Sequence, residues 1–323
     1  KFLGFLILTW NQLNWWCDMA TSECSEGFCG IGHWEGMAEI YDGKGRFLAN
    51  GADQRHVRTQ EEDGRIRIDL SFAGPLKFAG HYYIKSKEDR RLYQGPVNCG
   101  FAESMSKDFV SAHAYWPVTG LSQKFFLMVS PDGLRQMSLA LMSRGEELIY
   151  CVVGENAKVI GTTPQVEIPF INGIAYDLEN DPTAGRHHLL LHRQGYWEGE
   201  LFHQSEADSQ SCHPFREKFE KTTSGYISTW SGCPFMQEEH VEMKLNTNQW
   251  QSWSEAGDFV GSNSLYGGRA MSGHFHYLPG ERRVWRREVV SADGLHKAVV
   301  NNWYEGENRI GTQWGLLSFR AEA

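Results

Sequence analysis

The sequence feature that most constrains the fold is a pentapeptide that occurs twice. Gly-His-Trp-Glu-Gly at residues 32–36 returns as Gly-Tyr-Trp-Glu-Gly at residues 195–199. A second echo follows in the same order, since Val-Ser-Pro-Asp-Gly-Leu at 129–134 returns as Val-Ser-Ala-Asp-Gly-Leu at 290–295. The two echoes are separated from their first copies by nearly equal lengths of chain. The sequence therefore predicts one domain repeated in tandem, and a chain of 323 residues has room for two domains of about 150 residues each.

Turn-forming pairs divide each copy into short segments. Asp-Gly pairs begin at Asp42, Asp63, Asp132 and Asp293, and Asp-Gly is typical of tight hairpin turns because both residues tolerate a positive φ. Between two such turns, residues 65–70 alternate polar and apolar side chains, as a half-buried strand does. A series of such hairpins predicts a meander, and a meander of about eight strands closes into a barrel. The predicted fold class is all-β, with two tandem antiparallel β-barrels.

The domain boundaries follow from the repeat and from the distribution of proline. We predict an apolar, helical N-terminal extension at residues 1–26, a first barrel at 27–163, a linker at 164–186 and a second barrel at 187–323. The linker contains Pro164, Pro169 and Pro182, which favour turns and extended chain. A Leu-Tyr pair at 92–93 lies about a dozen residues farther from the hairpin echo than the pair at 265–266. A longer loop is therefore predicted near residues 100–120 of the first copy.

Composition narrows the class of partner. The net charge is −9 and there is no run of Lys or Arg, so nucleic acid is not expected as a partner. Residues 2–10 are apolar but too short to cross a bilayer, which takes about 20 residues. They predict either a segment packed on the first barrel or, over residues 1–16, a docking segment for a larger complex. The seven cysteines show no zinc-finger spacing.

The repeated Gly-x-Trp at the start of each β-meander is similar to the signature of lipocalins and other calycins. In those barrels the glycine permits a tight approach to the first strand, and the tryptophan plugs the closed end. The plug commonly lies under an Arg or Lys of the last strand, in a cation–π contact. The resemblance implies a structural plug formed by Gly32 and Trp34 in the first copy and by Gly195 and Trp197 in the second. It also implies that Arg320 lies over Trp197.

The Trp-Glu-Gly openings and the Ser-x-Asp-Gly hairpins, over residues 27–323, resemble a family of uncharacterised tandem lipocalin-like (calycin) proteins of cyanobacteria and algal plastids. The resemblance implies a chloroplast location, stromal or peripheral to the thylakoid. It also implies a non-enzymatic protein that binds an apolar or pigment ligand, or a scaffold or linker subunit of a photosynthetic complex. The ligand would be a carotenoid, a chlorophyll, a bilin or a lipid. Related barrels include bilin lyases and a carotenoid hydratase, so the alternative is an enzyme: a bilin lyase, an isomerase or a hydratase acting on a pigment.

Clusters of histidine and aromatic residues are the candidate ligand contacts. If residues 81–83 and 113–116 face inward, their rings can hydrogen-bond the polar ends of a conjugated ligand, and if they face outward they form a rim or an interface. His274 and His276 share one face of a strand, a spacing that metals use, but no third ligand is near them in sequence and no metal site is predicted. The ligand-binding candidates are His81, Tyr83, His113, Tyr115, Trp116, His274 and His276.

Overall fold

A computed structural model describes residues 28–73, 77–87, 90–169, 190–205, 210–248 and 250–322. These residues form β-strands and turns and contain no helix. No helix among the described residues is therefore long and apolar enough to cross a membrane. The predicted N-terminal extension and most of the predicted linker lie outside the described residues.

The first ten strands form barrel 1. Their bounds are Gly32–Asp42 (β1), Phe47–Thr59 (β2), Ile66–Ala73 (β3), Phe78–Lys87 (β4), Arg90–Gln94 (β5), Cys99–Met105 (β6), Phe109–Trp116 (β7), Leu121–Val129 (β8), Arg135–Arg144 (β9) and Glu147–Ile160 (β10). Each strand pairs antiparallel with the next, and β1 pairs with β10 to close the barrel. A two-residue strand, Thr163–Pro164 (β11), adds to the end of β10.

The next ten strands form barrel 2 with the same connectivity. Their bounds are Gly195–Ser205 (β12), Gln210–Lys221 (β13), Gly225–Ser231 (β14), His240–Thr247 (β15), Gln251–Ser254 (β16), Phe259–Tyr266 (β17), Ala270–Tyr277 (β18), Arg282–Val290 (β19), His296–Glu305 (β20) and Asn308–Arg320 (β21). Strand β12 pairs with β21 and closes the barrel. The prediction of two tandem antiparallel barrels is confirmed, with ten strands in each rather than about eight.

The two copies align almost without gaps, so the prediction of a longer loop near residues 100–120 is wrong. That stretch consists of strands and tight turns. The alignment that matches Val129 with Val290 also matches Phe109 with Ala270, the first residues of β7 and β18, which are the seventh strands of the two barrels. The two Leu-Tyr pairs that suggested the insertion lie in non-equivalent strands. One is in β5, the fifth strand of barrel 1, and the other is in β17, the sixth strand of barrel 2.

Backbone geometry requires glycine at both glycine positions of the repeated pentapeptide. Gly32 and Gly195 have φ angles of 133° and 132°, a region that favours glycine because it has no Cβ. A Cβ added at Gly36 would clash with the carbonyl oxygen of Glu155 on β10. A Cβ at Gly199 would lie 2.8 Å from a carbonyl oxygen of β21. The pentapeptide therefore encodes the start of the first strand and its close contact with the strand that closes each barrel.

The barrels pack against each other through a buried face with apolar and ionic contacts. Phe109 of barrel 1 stacks on Trp314 of barrel 2, with ring centroids 4.8 Å apart. Arg269 of barrel 2 lies 2.8 Å from Glu39 and 3.1 Å from Glu155 of barrel 1, and all three side chains are buried. Two carboxylates and their cation are thus removed from water at the interface, where charges must be paired.

Strands β9 and β10 connect this interface to the interior of barrel 1. Their outward side chains, such as Leu139 and Val153, belong to the interface core. Their inward side chains, such as Ser138 and Val152, line the interior of barrel 1, because successive residues of a strand point to opposite faces. Barrel 2 therefore backs one wall of barrel 1.

Candidate functional site

Barrel 1 contains a cavity of about 430 Å³. This volume lies within the range of about 300–1,000 Å³ that small-molecule sites occupy. Most of the wall is apolar and comes from alternate, inward-facing residues of β2, β3, β4, β8 and β9, among them Val57, Ile68, Leu70, Ile84, Leu127 and Met142. A wall of this composition favours an apolar ligand, since each apolar group that leaves water contributes to binding.

A buried ion pair interrupts the apolar wall near the plugged end. Arg55 Nε donates to Asp53 Oδ1 at 3.1 Å, and its Nη2 contacts the other carboxylate oxygen and lies 3.4 Å from Ser138 Oγ. The sheet register pairs Arg55 with Trp34, which places the ion pair beside the plug. The pair brings one negative and one positive charge, so it adds polarity to the cavity without adding net charge.

Two further polar atoms in the wall have no partner. Tyr93 Oη and Gln136 Oε1 are buried without a hydrogen bond, in side chains that are 2% and 1% exposed. A buried polar atom without a partner costs free energy relative to water. Burial also raises the pKa of Tyr93 well above its ordinary value and that of neighbouring Tyr82 to about 12, so both phenols are neutral. The cavity thus has unused hydrogen-bonding capacity in neutral groups.

The cavity reaches the end of the barrel opposite the plug. Phe78 and Trp116 meet edge to face there, with ring centroids 5.0 Å apart, and Trp116 Nε1 donates to Gln123 Oε1 at 2.8 Å. The hairpin that follows Trp116 contributes Val118, which lines the cavity and is 73% exposed. The cavity therefore opens to solvent beside Val118 at this end of the barrel.

Most of the residues predicted as ligand contacts in barrel 1 do not line the cavity, because the alternation of side chains along each strand turns them outward. Trp116 lines the cavity, but the other four candidates lie on the outer face, where their ring partners are also found. The ring centroids of His81 and Tyr83 are 5.6 Å apart, and those of His113 and Phe101 are 5.9 Å apart. Tyr115 is exposed. The inward residue of the first cluster is Tyr82, which lies between His81 and Tyr83. These outer rings form a surface band and do not contact the cavity.

The two histidines predicted as ligand contacts in barrel 2 also face outward. His274 and His276 are exposed, and His274 stacks on Trp285 with centroids 5.6 Å apart. The residues that alternate with them, Phe275 and Tyr277, are fully buried in the barrel. Within the described ranges, no three His, Cys, Asp or Glu side chains converge as a set that could hold a metal ion.

Each barrel has a fully buried tryptophan at its plug position, with a lysine close to the ring. Lys158 Nζ lies 5.6 Å from the centroid of Trp34, and Lys297 Nζ lies 5.1 Å from that of Trp197. A cation at this distance from a tryptophan face is attracted by the ring quadrupole. Lys158 belongs to the last strand of barrel 1, whereas Lys297 belongs to β20, the strand before the last in barrel 2.

Arg320 does not take the position over Trp197 that the resemblance implied. Its side chain is 70% exposed and its Nε lies 3.2 Å from Glu198 Oε1. The register pairs Arg320 with Tyr196, and Tyr196 faces outward because it alternates with the buried Trp197. Arg320 therefore belongs to the outer surface of the barrel.

Replacing Arg320 by Ala is accordingly expected to change the free energy of unfolding by no more than about 0.5 kcal/mol, because exposed ion pairs contribute little. Urea unfolding followed by tryptophan fluorescence measures the change. A loss above about 1.5 kcal/mol would mean that the guanidinium has a buried role.

The interior of barrel 2 is filled where barrel 1 has its cavity. The ungapped alignment of the two hairpin echoes matches Met142 of barrel 1 with Trp303 of barrel 2. The rung next to the plug pairs Arg55 with Leu70 in barrel 1 and Glu217 with Trp230 in barrel 2. Large rings therefore replace smaller side chains, and Trp230 and Trp303 are fully buried.

Buried charges occupy the rest of that interior. Glu217 lies 2.6 Å from Arg286 Nη2 and contacts Lys297 Nζ, while Glu288 contacts Arg286 and lies 3.6 Å from Lys297 Nζ. The four side chains form a cluster of two acids and two bases that is closed to solvent. The candidate ligand site is therefore the cavity of barrel 1.

Comparisons with known proteins support the architecture. No protein-family model matches the chain, and no curated protein matches it. Among solved structures, it is similar to a protein of unknown function from the DUF3598 family of Nostoc punctiforme, with a TM-score of 0.56 and 11% identity over 90% of this chain and 97% of that one. An S-type phycobiliprotein lyase from Guillardia theta aligns over 42% of this chain and 90% of its own, with a TM-score of 0.32 and 10% identity. At 11% identity the likeness to the Nostoc punctiforme protein concerns the fold alone. The two ten-stranded barrels fit a tandem lipocalin-like (calycin) architecture.

Proposed function

We propose that this protein binds one small apolar molecule inside barrel 1. The observation that carries the proposal is the cavity of about 430 Å³, with its apolar wall and its unpaired polar atoms near the plug. Those atoms favour a ligand that has a polar group at one end, because such a group would supply the missing hydrogen bonds. Barrel 2 has its own filled interior and supports the wall formed by β9 and β10.

The chemical class of the ligand is proposed from the sequence motifs. Their resemblance favours a pigment or lipid, such as a carotenoid, a chlorophyll or a bilin, in a protein of the plastid. The same resemblance supports a role within a photosynthetic complex, and the apolar character of residues 2–10 supports docking through residues 1–16. Extraction of the protein from its source, followed by an absorption spectrum, tests the pigment class directly. A colourless protein without extractable pigment would exclude that class.

Filling the cavity tests the binding function itself. We expect Ala140→Trp to weaken binding of retinol, used as a fluorescent apolar probe, by at least about tenfold, because the indole takes the volume that the ligand needs. Ala140 lines the cavity on β9. The matched control is Ala79→Trp, which places the same indole on the exposed outer face of β4. Fluorescence titration of the full chain measures both dissociation constants.

Two outcomes of this titration would contradict the proposal: no retinol binding by the unchanged protein, or equal binding by the two variants. Thermal unfolding of both variants shows whether a loss of binding reflects a loss of fold.

A second candidate function, catalysis on the bound ligand, is favoured by the Asp53–Arg55 pair, because charges in a dry cavity can stabilise charge that develops during a reaction. Steady conversion of a pigment incubated with the protein, followed by its absorption spectrum, would support that candidate.

A further inference from the structure

The charges that line the cavity cancel near the plug. Asp53 and Arg55 are both largely buried and form one ion pair. Among the described lining residues, the remaining charged side chain is Lys77, which is exposed at the open end. Lys158 lies against the ring of the plug Trp34 and is not among the residues that line the cavity. An anionic head group inside the cavity would therefore place two negative charges, its own and that of Asp53, next to the one positive charge of Arg55. A second anion in this apolar lining has no unpaired cation to compensate its loss of water.

The hydrogen bonds that remain unmade belong to neutral groups. Ser138 Oγ lies 3.4 Å from Arg55 Nη2, and Gln123 Oε1 accepts from Trp116 Nε1. Gln136 Oε1 is an acceptor without a donor, and Tyr93 Oη can donate and accept. No side chain of the wall donates to Gln136 Oε1, and a ligand with a donor group can fill this position.

In barrel 2 a charged residue occupies the position that corresponds to Gln136. The ungapped alignment of the hairpin echoes matches Gln136 with Lys297, and the ammonium of Lys297 is paired with Glu217 and Glu288 of the same barrel. Lys297 therefore has its counter-charges within the protein. Gln136 is neutral, has no such partners and faces a cavity.

We propose that the ligand of barrel 1 is uncharged and ends in a hydroxyl or N–H group that donates to Gln136. This proposal rests on the binding function proposed above. The head group lies beside the plug, within the band of Asp53, Tyr93 and Gln136, and the apolar body extends toward the hairpin at residues 117–120. The cavity discriminates against carboxylates because Asp53 already neutralises Arg55.

Three retinoids that share one apolar body test the head group. Retinol carries a hydroxyl donor, retinal carries only an acceptor and retinoic acid is a carboxylate at pH 7.5. We expect the full chain to bind retinol at least about tenfold more tightly than retinoic acid, and more tightly than retinal. Intrinsic fluorescence quenching gives all three dissociation constants on the same scale.

Variants assign the preference to particular side chains. Gln136→Leu should reduce the preference for retinol over retinal to within about twofold, and its stability should not fall, because an unpaired buried atom is removed. Gln54→Leu, on the exposed outer face of the same barrel, is the matched control and should keep the preference of the unchanged protein. Asp53→Asn leaves Arg55 without its counter-charge and should tighten retinoic acid binding at least about tenfold.

The outcomes separate this proposal from the one on which it rests. Binding of retinoic acid as tight as that of retinol overturns the neutral head group and leaves the cavity as a binding site. A preference that survives Gln136→Leu unchanged overturns the assignment to Gln136. Failure of all three retinoids to bind overturns the binding function, and the present proposal with it.

Discussion

Replacing Glu217 by Gln is expected to lower the free energy of unfolding by about 3–5 kcal/mol, the usual cost of removing one partner from a buried ion pair. The substitution keeps the size of the side chain but removes its charge. Arg286 and Lys297, which both pair with Glu217, would then share Glu288 as their remaining counter-charge inside barrel 2. Glu217 also accepts hydrogen bonds from Ser228 and Trp230, each at 2.8 Å, and an amide oxygen replaces the carboxylate less strongly there.

The pKa of Glu217 shows how strongly the cluster holds its negative charge. Burial alone would raise this pKa, but Arg286 and Lys297 outweigh burial and lower it to about 2. The carboxylate is therefore ionised across the physiological range, and it stabilises the fold above its unfolded pKa of about 4.3. This contribution is lost as the pH falls from that value toward 2.

A matched control and a double variant make this prediction specific. Glu220→Gln removes an exposed carboxylate from the same strand and should cost no more than about 0.5 kcal/mol. The double variant Glu217→Met with Lys297→Met removes one acid and one base, so it should recover more than half of the loss caused by Glu217→Gln. Urea unfolding at pH 7 measures all three. A loss below about 1 kcal/mol for Glu217→Gln would mean that solvent reaches the cluster.

These charges explain why the interiors of the two barrels differ although the sequence repeats. In barrel 2 the interior is filled by indole rings and by acids and bases that pair with one another. In barrel 1 a single ion pair remains, and smaller apolar side chains such as Leu70 and Met142 leave the space between the walls open. Under the binding function proposed above, barrel 1 holds the ligand and barrel 2 supports it through its packing against β9 and β10.

The architecture could be predicted from sequence because its signals are local. Positive φ at Gly32 and Gly195, and the Asp-Gly turns, are each specified by one or two residues. The number of strands could not be predicted, because β5 and β16 have only five and four residues. Strands of this length are too short to show the alternation of polar and apolar residues that identifies longer ones. The repeat also misled where two Leu-Tyr pairs matched by chance.

The residues that line the candidate site were harder to predict, because a shift of one residue moves a side chain to the other face of the sheet. In the run His81-Tyr82-Tyr83 all three residues are ring-bearing, so composition alone does not show which one faces inward. The neighbouring Ile84 and Phe78 give the answer, since they are apolar and share the inward face with Tyr82. Asp53 gave no signal at all, because an acid on a strand is usually exposed to solvent.

A histidine beside the charged cluster of barrel 2 is expected to make the stability of the protein sensitive to mild acid. His192 is buried between Phe219 and Tyr226, with ring centroids 5.1 and 5.0 Å away, and its Nδ1 has no hydrogen-bond partner. Burial lowers the pKa of His192 from 6.5 to about 3; Glu217 opposes this shift, whereas Lys297 and Arg286 add to it. The folded imidazole is therefore neutral at pH values where the unfolded one is protonated.

The sign of the pH dependence follows from this difference. Between pH 6.5 and about pH 3 the unfolded state binds a proton at His192 that the folded state does not bind, so the free energy of unfolding decreases as the pH falls. The expected contribution to this loss is about 2 kcal/mol between pH 7 and pH 5. His192→Phe keeps a ring against Phe219 and Tyr226 but cannot be protonated, so the variant should gain about this amount relative to the unchanged protein at pH 5.

Urea unfolding at pH 7, 6 and 5 measures the gain as the difference between the two proteins at each pH. The comparison isolates His192, because the carboxylates common to both proteins titrate equally and cancel. His276→Phe is the control, since His276 is exposed on the outer face of the same barrel, and its difference from the unchanged protein should stay constant over this range. A difference for His192→Phe that is equally constant would show that the folded imidazole accepts a proton, and hence that water enters the interior of barrel 2.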